Sequence, residues 1–125
     1  MSYALNFVIL VVPNRKGQAW DFLEDLQDRY EDDRAPAHPL LKQLHDVLAS
    51  RYPCLSSYAD GDLSREDCPW ADGPLINNFA SEMGMLAIKI SRAEEVIPFA
   101  VEAALALGIT VMDAQDDKIH RPSRA

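Results

Sequence analysis

The feature that most limits how this chain can fold is the run at residues 3–12, YALNFVILVV. Side chains alternate across a strand with period two, so Tyr3, Leu5, Phe7, Ile9 and Val11 share one face, and Ala4, Asn6, Val8, Leu10 and Val12 share the other. One face is wholly apolar and the other nearly so. A strand of that kind needs a neighbour on each edge and cover on at least one side. Residues 3–12 are therefore expected to be the central strand of a sheet. The 125-residue length allows one domain with a core that needs no cross-links.

Pro13-Asn14 ends the run, and residues 16–31 then repeat at helical spacing: Ala19, Phe22, Leu23, Leu26 and Tyr30 form a stripe with Trp20 at its margin. A second helix is expected over 39–51, with Pro39 in its first turn and Leu40, Leu41, Leu44, Val47 and Leu48 facing the core. Residues 52–74 hold no sustained period and read as a long loop pinned by aromatics such as Tyr58 and Trp70. Two strands, 75–80 and 85–91, follow, joined by a short turn containing Gly84. Ser91-Arg92-Ala93-Glu94 reads as a capping box. The helix it opens has Ile97, Val101, Ala104 and Leu105 on its inner side and Gly108 at its end, with Pro98 making the first turn irregular or kinking the axis. A strand over 109–113 and a short segment over 118–121 complete the chain. With the second helix set aside, the order is β-α-β-β-α-β, so the expected fold is α+β and ferredoxin-like, with one extra helix, a long loop and a short C-terminal strand. Both helices of that unit lie on one face. Asn6, Val8, Leu10 and Lys89 are thus expected on an open face that a second subunit or another partner would cover.

Charge narrows the function. The chain carries 20 acids against 12 bases, a formal net charge of −8, which opposes binding to nucleic acid or to an anionic membrane and favours a cationic partner. The acids are concentrated in two places. Residues 21–33 contain Asp21, Glu24, Asp25, Asp28, Glu31, Asp32 and Asp33 against the single base Arg29. Residues 60–72 contain Asp60, Asp62, Glu66, Asp67 and Asp72 against Arg65. A solvated helix face tends to use oppositely charged neighbours at i,i+4, and the first segment, with seven acids to one base, largely lacks them. Asp21, Glu24, Asp25 and Asp28, together with Asp60, Asp62, Glu66 and Asp67, are therefore the candidate contact surface, with Trp70 as the aromatic anchor.

Other chemistries fit less well. The run from Asp60 to Glu66 resembles the start of a calcium loop, but Arg65 and Ala71 stand where the turn glycine and the bidentate glutamate are required. His38, His45, Cys54 and Cys68 follow no zinc spacing and no nucleophile-base pattern. No glycine-rich phosphate loop is present, and Asp113 to Asp116 reads as turn chemistry at a strand end. No metal or cofactor is expected. The two cysteines read as reduced thiols of a cytoplasmic protein, with a single bridge left open. The N-terminal apolar run has no base before it, contains Asn6, ends without a small-residue cleavage motif and is too short to span a bilayer, which argues against a secretory signal.

Tyr52-Pro53, then Trp70-Ala71-Asp72-Gly73-Pro74, then Leu107-Gly108-Ile109-Thr110-Val111-Met112-Asp113-Ala114-Gln115, with Arg121-Pro122 after them, form a pattern over a little more than half the chain. It resembles that of small bacterial immunity-type proteins encoded beside polymorphic or contact-dependent toxins. The resemblance implies a cytoplasmic protein that binds and blocks a toxin domain, often a basic nuclease. It carries over no catalytic residue, because such proteins act by occlusion. An acidic binder that neutralises a cognate toxin is the leading expectation. The alternatives are a small enzyme or ligand-binding domain using the long loop or the open sheet face, and a non-catalytic homodimer sealed through that face.

Overall fold

The computed structural model describes residues 2–52, 68–71 and 75–122, with residue 2 described by its backbone alone. The central strand is β1 (Ser2–Val8), and its two apolar faces fix the rest. After it come α1 (Lys16–Asp32), α2 (Pro39–Arg51), a 3-10 turn at Leu75–Asn78, β2 (Met83–Lys89), α3 (Ile90–Ala106), β3 (Thr110–Asp113) and β4 (Lys118–His120). The sheet is antiparallel throughout, in the order β2-β1-β3-β4. The fold class is α+β: one four-stranded antiparallel sheet and three α-helices.

The odd face of β1 places Leu5 and Phe7 in a core with Leu41, Leu44 and Leu48 of α2 and Val96, Ala100 and Ala104 of α3. The even face places Val8 in a second core with Ala19, Leu23 and Leu26 of α1, closed by Met83 and Met112. Three layers result, with the sheet between α1 and the α2–α3 pair. This overturns the expected open face. Asn6 is buried: its side-chain amide donates to the Met112 carbonyl (3.2 Å), and its oxygen accepts from Gln27 Nε2 of α1 (3.1 Å). Val8 is buried too, so no second subunit is needed to cover either residue. α2 shares its side of the sheet with α3, and α1 lies alone on the other side.

α1 crosses the strands. Its first turn is tied to the β3–β4 turn by Lys16 Nζ to Asp117 (2.8 Å), and its middle lies over β1 through Gln27. Its last turns reach the β2 end through Arg29 to Glu82 (3.1 Å) and the Tyr30 hydroxyl to the Asn78 carbonyl (2.8 Å).

The expected strand at 75–80 is absent. Residues 75–78 wind into the 3-10 turn, and the hairpin survives only as an isolated bridge between Phe79 and Gly84. The connection between α1 and α2 bonds the end of this segment and the residue after it. His38 N donates to the Ala80 carbonyl (3.0 Å), and the Asp33 carboxylate accepts from the Ser81 amide (3.1 Å) and the Ser81 hydroxyl. Gly84 lies inside β2 opposite Phe7 rather than in a turn, and an added Cβ would stand 2.5 Å from Phe79 Cδ1. The outer edge of β2 is closed by residues 69–71, with Lys89 N donating to the Pro69 carbonyl (2.7 Å) and Ala71 N to the Ala87 carbonyl (2.9 Å).

β1 stops at Val8, not at Val12, because its partners reach only to Met83 and Thr110. Val12 is still buried beneath α1, while Val11 is 76% exposed. The expected capping box at Ser91 is not used. β2 runs straight into α3 with Lys89 as N-cap, since the bond to Pro69 holds Lys89 at the sheet edge until the helix begins. α3 is continuous through Pro98. Its buried stripe is Ala93, Val96, Ala100 and Ala104, so small residues let it lie close to the sheet, and the expected stripe through Ile97, Val101 and Leu105 is rotated to its flank. It ends as foreseen at Gly108 (φ 78°), with Gly108 N donating to the Leu105 carbonyl and Ile109 N to the Ala104 carbonyl, a Schellman closure.

Candidate functional site

The acidic face expected on the first helix is the outer side of α1. Burial of Ala19, Leu23 and Leu26 turns Asp21, Glu24, Asp25 and Asp28 to solvent, and all four are exposed. Among the described residues none of the four takes part in an ion pair. Arg29, the one base of the segment, is drawn to Glu82 instead. The positions 21/24, 21/25, 24/28 and 25/28 are like-charge neighbours at i,i+3 or i,i+4. Each such pair disfavours the helix by roughly 0.2–0.5 kcal/mol, about 1–2 kcal/mol for the set. Packing of the inner stripe against the sheet offsets this.

The second acidic segment, with Asp60, Asp62, Glu66 and Asp67, lies outside the described residues, as do Asp72 and Cys54. Trp70 is described, and it is fully buried. Its indole N–H donates to the Tyr52 carbonyl (2.7 Å), and its ring meets Tyr52 edge to face at 6.1 Å. Tyr52 in turn meets Phe99 of α3 at 5.7 Å. Trp70 is thus a core anchor that pins residues 68–71 to the body, as expected of the loop aromatics, and it offers no surface to a partner. Its assignment to the contact surface is corrected accordingly.

Two of the three histidines have structural roles. His38 is the N-cap of α2, its Nδ1 accepting from Leu40 N (3.1 Å), and His45 faces Asp46 (3.0 Å) and the edge of Phe79 (6.0 Å). Among the described residues no three His, Cys, Asp or Glu side chains converge as metal ligands would.

One polar arrangement escaped the sequence. Tyr3 and Asp113 are 110 positions apart, and the Tyr3 hydroxyl donates to the Asp113 carboxylate, 2.8 Å and 2.6 Å from its two oxygens. Asp113 is buried and also accepts from Asp116 N (3.1 Å), the turn chemistry expected there. Partial burial, then the bond to Asp113, pushes the Tyr3 phenol up to about 12, so it stays a donor at neutral pH. The antiparallel register brings β1 and β3 side by side, and nothing in the local sequence of either residue signals the pairing. Asp33 shows the opposite displacement. The Ser81 hydroxyl and the amides of Ala35 and Ser81 hold its carboxyl below the usual range.

No helix among the described residues is long and apolar enough to cross a membrane. No family model, no curated protein and no solved structure matches the chain.

Proposed function

We propose that this chain is an acidic binding protein that blocks a basic protein domain by occupying its cationic surface through the outer side of α1. The observation that carries the proposal is the exposed set Asp21, Glu24, Asp25 and Asp28, none of them in an ion pair among the described residues, while Arg29, the one base of the segment, bonds Glu82 and reaches Asp25 only through space. Helix-stabilising partners at i,i+4 would be simple to encode, and only Asp25 has one, Arg29; their scarcity costs stability, which fits a surface completed by an external cation. The resemblance of the C-terminal half to immunity-type proteins directs the proposal to a toxin domain as that partner, with inhibition by occlusion in the cytoplasm. We also infer a ferredoxin-like ancestry for the sheet. β1 lies between β2 and β3, and the single bridges at Trp70 and Phe79 stand where the unit's edge strand would pair with β2. α1 is then an insertion on the opposite face.

The test is the association rate with any basic domain found to be encoded beside this chain, measured by stopped flow at about 50 and 300 mM NaCl. Electrostatic capture predicts a fall of about tenfold or more across that range, and a further fall in the Asp25→Lys/Asp28→Lys double variant at low salt. A rate indifferent to both salt and charge reversal would remove α1 from the interface and the proposal with it.

A further inference from the structure

Above β4 the helical layer is incomplete. α3 covers β1, β2 and β3 with its small-residue stripe, but β4 extends the sheet beyond it, leaving an open groove of about 670 Å³. One wall is the rotated flank of α3, where Ile97, Val101 and Leu105 recur at i, i+4 and i+8 and stay half-buried. The opposite wall is β4, and Asp113, buried, and Glu102, exposed, both line the groove.

The cations around this groove are already engaged. Lys118 is paired with Asp116 (3.0 Å), and Arg121 donates to the carbonyls of Val12 (3.0 Å) and Pro13 (2.6 Å). Asp113 and Glu102 have no ion pair among the described residues. The lining holds three carboxylates, Glu102, Asp113 and Asp116, against two bases, Lys118 and Arg121, a formal net charge of −1 with His120 counted neutral, so the groove is weakly negative. A carboxylate offers about four acceptor sites, and Asp113 fills two of them, with one phenolic hydrogen and one amide. Acceptor capacity remains on Asp113, a residue 3% exposed, where an added donor counts for more than at the surface.

We propose that this groove receives an arginine side chain of the basic partner, its methylenes against Ile97, Val101 and Leu105 and its guanidinium between Asp113 and Glu102. A planar guanidinium matches carboxylate geometry, is always charged and is less strongly hydrated than an ammonium, so it suits a half-enclosed, partly apolar slot. The assignment rests on the proposed function for the source of the arginine. The site's chemistry does not depend on it.

The probes are n-butylguanidinium and its neutral isostere n-butylurea, titrated into the ¹⁵N-labelled protein at matched ionic strength. The expected result is saturable movement of amide signals in 97–106 and 113–121, with a Kd on the order of 1 mM for the cation. The urea should bind at least about tenfold more weakly. Glu102→Gln, a change at an exposed helix position, should weaken the cation about threefold to tenfold without altering the fold. The Asp25→Lys/Asp28→Lys variant should leave probe binding unchanged, which separates failure of this site from failure of the α1 interface. Equal binding of cation and urea, unsaturable shifts scattered over surface carboxylates, or an unchanged Kd in Glu102→Gln would each overturn the site. Putrescine binding in the micromolar range would reassign it to a free amine and overturn the side-chain assignment.

Discussion

Trp70→Phe separates a core anchor from an interface anchor. The substitution keeps an aromatic ring and leaves the backbone pairing of Pro69 and Ala71 with β2 untouched. It removes the only indole donor to the Tyr52 carbonyl, a 2.7 Å bond in the core. A buried carbonyl left without its donor costs about 1–3 kcal/mol. The smaller ring adds about 1 kcal/mol, a share of the 3–5 kcal/mol that truncating a buried tryptophan to alanine costs. The combined loss is about 3 kcal/mol. With a urea m-value of about 1.5 kcal/mol/M, reasonable for this size, the midpoint should fall by about 2 M. The assay is equilibrium urea unfolding followed by the fluorescence of Trp20, the other tryptophan, which is half-buried on α1. Because Trp20 and Trp70 lie on opposite layers, a single transition also tests whether the two cores unfold together. A midpoint shift below about 0.4 M, with m unchanged, would refute the placement of Trp70 as a core anchor.

Three further outcomes follow from local geometry. Gly84→Ala should destabilise the protein by about 1–3 kcal/mol, measured by the same unfolding curve, because the new methyl would meet the buried Phe79 ring at 2.5 Å and the Asn78 carbonyl oxygen at 3.2 Å. A neutral result would mean that Phe79 moves aside freely. In alkaline titration followed at 295 nm, one phenol should ionise near pH 12, and Tyr3→Phe should abolish that step. Its folded value is raised above the ordinary value of 10, so the stability it brings is complete below pH 10 and is lost as pH rises through about 12. Asp33→Asn should lower the urea midpoint at neutral pH and flatten the acid limb of the stability curve. The carboxyl is held low by Ser81 and Ala35, so its contribution is present above the ordinary value of 3.8 and is lost as pH falls through the folded value. An unchanged acid limb would show that Asp33 does not tie the α1–α2 connection to the β2 end.

Where burial and local spacing agree, the elements were legible before any coordinates. The stripe of α1, the proline-started α2 and the glycine-closed α3 lie close to where period and punctuation put them. The misses share a cause: they depend on which distant segment supplies a partner. Leu75 to Ala80 has strand-like composition, but residues 33–38 bond its end and the residue after it. Asn6 looked like a polar flaw on an open face, and only Gln27, brought over by a helix on the unexpected side, explains it. The flank of α3 was misassigned because alanines pack closest to the sheet and the larger residues beside them are displaced outward. Of the site, the acidic run on α1 was readable as uncompensated charge. The commitment of Arg29 to Glu82, which leaves that charge bare, was not, because the two are 53 positions apart.

The acidic helix and the groove lie on opposite layers, yet both approach one sheet edge, so the proposed partner would touch both if it sat over that edge. Lys16 and the Trp20 side chain meet Asp117 in the β3–β4 turn, so the first turn of α1 and the β4 wall of the groove share the same sheet edge. A domain seated over β4 with an arginine in the groove would find Asp21 about 8 Å along the helix axis from Lys16, and Asp28 about 18 Å away. The screening length at physiological salt is about 8 Å, so the near charge should matter more than the far one. Asp21→Lys should then weaken the complex at least about threefold more than Asp28→Lys, read as Kd at about 150 mM NaCl. The same ratio should collapse towards one in the Glu102→Gln background if the groove sets the partner's position. A larger effect at Asp28 would place the partner at the β2 end of α1, beside Glu82 and Arg29, and would separate the helix interface from the groove.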